Sequence, residues 1–211
     1  LDLQHHVQLS KAENYKAMRD DGVIVKFLIY DLLPIQLGDF FHDSDVKKLH
    51  KQLMQMIGQQ DHAICISRAT ADAYQAWIQD SDITLNSTLT VDWIHMGADL
   101  EGSRPSYGLP ENVAITLGVL RTRPTFLSVS TLEPRKAQTQ ILDAVEVLWA
   151  NHQDINLVFV GQQGWNVEAL ADRIAKHPEN GQRLFWLKGI SDEYLELVYQ
   201  ASTCLVAASL N

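Results

Sequence analysis

The 211-residue chain has only two cysteines, Cys65 and Cys204. Two distant thiols give neither a disulfide framework nor a metal-ligand spacing. Both lie in apolar, strand-like runs and read as small buried thiols. Such usage suits a reducing cytoplasm. An excess of positive charge is also missing: 17 Lys and Arg stand against 26 Asp and Glu, for a net charge of −9. A sequence-independent grip on nucleic acid needs the opposite sign, so no nucleic acid is expected as a partner. A bound nucleotide diphosphate remains compatible, because it needs only a local positive pocket. No apolar run approaches the roughly 20 residues of a membrane-spanning helix, and no signal peptide is visible. Any membrane contact is therefore expected to be peripheral. The eight histidines form no His-Glu-x-x-His pattern and meet no Cys-x-x-Cys, so no metal site is expected.

What the chain does have is hydrophobic content of 46% with 20% charged residues and no long low-complexity run. That supports one large or two small cores and argues against disorder. Apolar strand-like runs alternate with amphipathic helical patterns. Strands are predicted at Val23–Tyr30, His62–Ile66 and Leu89–Ile94. A helix capped by Asp43 or Ser44 carries Val46, Leu49, Leu53, Met56 and Ile57, and a second, capped by Ser67, carries Ala71, Tyr74 and Ile78. From Gly97 to Arg123 the rhythm breaks in a stretch rich in glycine and proline, the best linker in the chain. The alternation then resumes with strands at Thr125–Val129, Ile155–Val160, Leu184–Leu187 and Thr203–Ala207. The intervening helices are Thr139–Trp149, Val167–Lys176 and Asp192–Gln200, the last capped by Ser191. Continuous apolar strands between amphipathic helices predict parallel sheets covered on both faces. The expected divisions are residues 1–98, a linker at 99–123, and 124–211.

The most informative stretch is Phe126-Leu-Ser-Val-Ser-Thr-Leu-Glu-Pro-Arg-Lys-Ala137. It reads as strand, tight turn with two cations, helix start. An anion held there would meet free backbone N–H groups, the positive end of a helix dipole and the Lys136 ammonium. A solvated charged turn is the simpler reading of the same residues. A bare cation at that dipole end is slightly unfavourable, which favours a ligand. Arg135 either joins Lys136 or pairs with a carboxylate such as Glu133. Gly161 ends a strand where a ligand can approach the backbone.

Together with Leu157–Trp165, Arg183–Glu193, and upstream Phe27–Ile35, Ala63–Ala69 and Gly97–Asp99, this stretch resembles the retaining glycosyltransferases of family 4, with the GT-B fold. The likeness is to the bacterial branch that builds O-antigen and capsule chains. It implies an α/β protein of two Rossmann-like domains with parallel sheets, cut at both ends. Residues 1–98 would be the later part of the acceptor-side domain and 124–211 the first part of the donor-side domain. The implied activity is transfer of a hexose, mannose from GDP-mannose foremost, with UDP-sugars the main competitor. The implied acceptor is an oligosaccharide or lipid-linked glycan at the cytoplasmic face of the inner membrane. No cofactor or metal is implied.

By the same resemblance Lys136, Arg135, Ser130 and Thr131 face the donor diphosphate. Gly161, Ile190, Ser191 and Asp192 lie on the nucleobase and ribose side. Tyr30 and Asp31 stand where many relatives carry His-Asp beside the reacting sugar. Tyrosine donates a hydrogen bond but is a poor base near neutral pH, and Asp31 could instead orient the turn at Pro34. Ser130 replaces a usual glycine, and the donor-sugar glutamates would follow Asn211. The departures at Ser130 and Tyr30 leave a second reading, a non-catalytic nucleotide-binding or scaffold module of a polysaccharide assembly complex. A sugar-nucleotide epimerase is disfavoured, since no G-x-G-x-x-G opens either half.

Overall fold

The computed structural model describes residues 4–41, 44–97 and 104–210. Asp43, the Ser44 side chain and Ala98–Asp99, which the sequence reading used, lie outside the described residues. The chain divides into two compact units, Leu1–Leu100 and Glu101–Asn211.

In the first unit, helices α1 (His5–Ser10) and α2 (Ala12–Asp20) precede strand β1 (Lys26–Ile29). A short helix α3 (Leu33–Gln36), helix α4 (Ser44–Gly58), β2 (His62–Cys65), α5 (Arg68–Asp80) and β3 (Thr90–Trp93) follow. The three strands are parallel in the order β1-β2-β3, with Phe27 opposite Ala63 and Ala63 opposite Val91. Ile29, Met54, Ile57, Ala63, Cys65 and Tyr74 make the core. Tyr74 is fully buried, and its hydroxyl donates to the Met54 carbonyl at 2.9 Å. Ser67 caps α5 as its position predicts, accepting from the Thr70 N–H at 3.2 Å.

The second unit begins with a departure from the sequence reading. Within the stretch read as a linker, helix α6 (Val113–Arg121) forms. Val113, Leu117 and Leu120 recur at helical spacing and pack beneath the second sheet. Strand β4 (Thr125–Val129), α7 (Gln138–Ala150), β5 (Asn156–Val160), α8 (Glu168–Lys176), β6 (Leu184–Leu187), α9 (Asp192–Ala201) and β7 (Cys204–Leu205) follow. All strands are parallel, in the order β6-β5-β4-β7.

Every residue of β5 is buried. Leu157 and Phe159 join Leu142, Leu170 and Ile174 on the face of α7 and α8. Val158 and Val160 join Leu120, Tyr194 and Val198 on the opposite face, that of α6 and α9. Each fully buried side chain of this size is worth about 1.5–3 kcal/mol. A helix cap adds only about 1 kcal/mol, so the two-faced core sets the position of β4 and β5. Cys65 is buried, as its apolar run predicts, but Cys204 is exposed. Its strand β7 is the outer member of the sheet and pairs only with β4, so its two side chains stay exposed among the described residues.

Candidate functional site

The carboxyl ends of β4, β5 and β6 carry the candidate site of the second unit. Beyond β4 the backbone stays paired: the Ser130 N–H donates to the Val160 carbonyl at 3.0 Å and the Leu132 N–H to that of Gln162 at 2.9 Å. The Gly164 N–H returns a bond to the Leu132 carbonyl at 2.9 Å. Gly161 sits at φ +145°, and a Cβ there would lie 2.0 Å from the Ser130 carbonyl oxygen. The sequence reading left that space to a ligand; the neighbouring turn fills it. Gly164 serves the same closure, since its Cβ would lie 2.5 Å from the Leu132 oxygen.

After this turn, Pro134–Lys136 form a 3-10 turn and Ala137 adopts a left-handed conformation at φ 56° as the residue before α7. No side chain caps α7. Its first N–H groups therefore lack intrahelical partners at the positive end of the dipole.

The two adjacent cations divide their roles. Arg135 turns back on Glu133, with Nε and an Nη each 3.2 Å from a different carboxylate oxygen. Glu133 is 5% exposed, so this ion pair is largely shielded from water. The alternative in which Arg135 answers a carboxylate is the one realised, with two of its five N–H donors on Glu133. Lys136 is half-buried, and its ammonium has no hydrogen-bond or ion-pair partner among the described residues.

Gln138, which sequence reasoning passed over, organises the turn. It is 2% exposed. Its Nε2 donates to Ser130 Oγ at 2.9 Å and to the Thr131 carbonyl at 3.0 Å, and its Oε1 accepts from the Glu133 N–H at 3.4 Å. Ser130 accepts there and keeps its own hydroxyl proton to donate. Thr131 is exposed beside it. A polar residue opening an amphipathic helix reads as solvated, and only the fold turns it inward.

The expected nucleobase side is already engaged by the chain's own residues. Ser191 caps α9, accepting from the Tyr194 N–H at 3.0 Å, and donates to the Gly108 carbonyl at 2.6 Å. Asp192 accepts from both the N–H and the hydroxyl of Ser106, each at 2.7 Å. These two bonds hold its carboxyl below the usual range. Ile190 packs against the core on the α6 and α9 face. Nearby, the Trp186 indole donates to the Gly161 carbonyl at 2.9 Å, and Lys188 Nζ lies 3.4 Å from the centre of that ring. A cavity of about 220 Å³ opens between the starts of α7 and α8, lined by Glu133, Thr139, Gln140 and Asn166. Pro134, Ala137 and Gln138, which flank Lys136 in the chain, also line it, whereas Lys136 does not.

In the first unit, Tyr30 follows β1 and is 44% exposed. Asp31 Oδ1 accepts from the Leu33 N–H at 3.0 Å, which orients the turn into α3. The carbonyl of Tyr30 meets Thr70 Oγ1 at 3.4 Å and that of Asp31 meets His50 Nε2 at 3.1 Å. Arg68 lies 3.9 Å from Asp72, and both are exposed, so that pair adds little.

Residues 116–211 match the family described as Glycosyl transferases group 1. Over 210 residues it is 36% identical to the serotype-specific mannosyltransferase WbdA of Escherichia coli. The match takes in 99% of this chain and 26% of that protein, so the chain spans about a quarter of its relative's length. Among solved structures it is similar to Anabaena Alr3699/HepE in complex with UDP (TM-score 0.60, 17% identity, 99% of this chain and 52% of that one). It is also similar to the α,α-trehalose 6-phosphate synthase of Burkholderia multivorans (TM-score 0.61, 17% identity, 100% and 57%). At such identities the likeness concerns the fold: parallel α/β units of the GT-B kind.

Proposed function

We propose that the full-length protein is a retaining hexosyltransferase of family 4 that moves mannose from GDP-mannose to a glycan or lipid-linked acceptor. It would act in cell-surface polysaccharide synthesis, in the cytoplasm, with at most peripheral contact with the inner membrane. The observation that carries this reading is the unpartnered ammonium of Lys136 between β4 and the uncapped start of α7, within the residues that match Glycosyl transferases group 1. The 36% identity to a mannosyltransferase supports the choice of sugar.

Lys136 would neutralise the charge that builds on the diphosphate as the glycosidic bond breaks. Ser130, steadied by Gln138, and Thr131 would offer hydroxyl donors beside it. Arg135 would act indirectly, by holding the turn through Glu133. No metal is assigned a role. The test is calorimetry on the full-length protein with GDP and guanosine. Lys136→Ala should weaken GDP binding roughly tenfold to a hundredfold, the worth of one charge-assisted bond. Guanosine binding should change far less, and an equal loss for both would reduce Lys136 to a fold-supporting residue.

One observation favours a second reading. With Arg135 on Glu133 and Asp192 on Ser106, Lys136 is the only one of the candidate donor-side charges left without a partner among the described residues. A nucleotide-binding scaffold would fit that sparse site. It would bind GDP but release no GDP from GDP-mannose when acceptor is supplied.

A further inference from the structure

A pair of histidines lies behind the Tyr30–Asp31 turn, and nothing in the donor chemistry uses it. His50, on α4, is 8% exposed. One ring nitrogen, Nε2, is 3.1 Å from the Asp31 carbonyl oxygen, and the other, Nδ1, is 2.8 Å from His5 Nε2 on α1. The partners' chemistry orders the protons along this chain. A carbonyl only accepts, so His50 Nε2 carries its hydrogen and donates. His50 Nδ1 is then a bare lone pair, and His5 Nε2 must donate to it. One tautomer of each ring satisfies both bonds, and the two rings meet edge to face with centroids 5.0 Å apart.

We propose that His50, with its tautomer fixed by His5, is a positioning residue that holds the Tyr30–Asp31 turn for the transfer reaction. The inference rests on the reading that this turn faces the reacting sugar. Each carbonyl of the turn has a side-chain partner from a different helix: Thr70 of α5 on Tyr30, His50 of α4 on Asp31. The Asp31 carboxylate is bound as well, to the Leu33 N–H. Tyr30 is thus presented outward from a backbone held on both sides. Such holding matters because a displacement of about 1 Å at a reacting group can cost on the order of a hundredfold in rate.

The relay also tolerates one added proton. A proton added at His5 Nδ1 leaves the donated bond to His50 in place. Only a second proton, on His50 Nδ1, sets N–H against N–H. The titratable groups acting on the pair are Asp31 and, on α1, His6.

The experiment uses the full-length protein and compares His50→Leu, which removes the donor, with His50→Gln, whose amide reaches the same carbonyl. His50→Leu should lower kcat roughly tenfold to a hundredfold, with KM for the sugar nucleotide and GDP binding unchanged. His50→Gln should recover most of that loss. His5→Ala, a change at a less buried site that leaves His50 free to switch tautomer, should give a smaller loss of kcat. Full activity in His50→Leu, or equal loss in the Leu and Gln variants, would overturn the positioning role. Tyr30→Phe and Asp31→Asn separate the two layers. If either is impaired while His50→Leu is not, the positioning role alone fails. If none of the three is impaired, the reading of the turn as reactive fails and takes the proposal with it.

Discussion

A methyl group on Gly161 would lie 2.0 Å from the carbonyl oxygen of Ser130, a residue on the neighbouring strand's extension. Two turns of the candidate donor site therefore touch backbone to backbone, and the absence of one side chain permits it. Gly161→Ala adds both the clash and a strained φ of +145°. We expect it to cost roughly 2–4 kcal/mol, at the upper end for single substitutions. Gly118 is the control: it lies in α6 with nothing within 4 Å of its missing Cβ. Gly118→Ala should stabilise by about 0.5–1 kcal/mol. Urea unfolding of both variants gives the comparison, and similar signs would contradict this account.

Gln138 connects Ser130, Thr131 and Glu133 from the first position of α7. Gln138→Leu keeps the bulk and strands those groups. The expected cost is roughly 1–3 kcal/mol, the penalty for unpaired buried polar atoms. GDP should also bind more weakly in the full-length protein, through loss of turn geometry rather than of charge. Calorimetry across a salt series separates the two causes, since a displaced turn leaves the salt dependence intact.

Arg135 and Lys136 should behave oppositely when removed. Arg135→Ala leaves Glu133 shielded without its partner, and we expect a loss of about 2–3 kcal/mol of stability. Lys136→Ala removes no hydrogen bond or ion pair among the described residues and should leave the thermal midpoint nearly unchanged while weakening GDP binding. A thermal scan and a titration on each variant decide it; a large drop in midpoint for Lys136→Ala would assign it a structural role.

Acid should weaken the first unit once pH falls below the ordinary histidine value. Burial, the largest cause for each, holds both His5 and His50 below the ordinary value of 6.5. A depressed folded value means that the folded state binds fewer protons than the unfolded state. Stability from this pair is complete above about pH 6.5 and declines as pH falls through the folded values. Asp61, Glu179 and Asp192, also held low, lose their contribution only below about pH 4. Unfolding midpoints between pH 7.5 and 5 should fall in wild type and fall less in His50→Gln.

The thiols offer a direct check on the two cysteines. Burial pushes Cys65 up to about 11, whereas Cys204 is exposed on the outer strand. A thiol reagent at neutral pH should modify the native chain once, at Cys204, with Cys65 reacting only after unfolding. Peptide mapping identifies the site.

The sequence alone placed the strands, because each lies in a short, largely apolar run bounded by turn residues. Thr125–Val129 and Leu184–Leu187 could be read to the residue. The caps Ser67 and Ser191 were legible for a similar reason: each bonds a residue three positions away. Helix α6 was legible in principle from Val113, Leu117 and Leu120, but the surrounding glycine and proline outweighed its period. The charged turn around Lys136 was visible as a local cluster of cations at a helix start.

Tertiary structure decided which of those charges is free. Glu133 claims Arg135 because the fold shields that carboxylate, and a shielded charge needs a partner more than a solvated one does. It also joined residues far apart in the chain: Ser106 to Asp192, His5 to His50, and Gly161 to Ser130. Periodicity reports only whether a side chain faces the core. Which partner it finds there depends on how separate segments are brought together, and composition and local spacing do not carry that information.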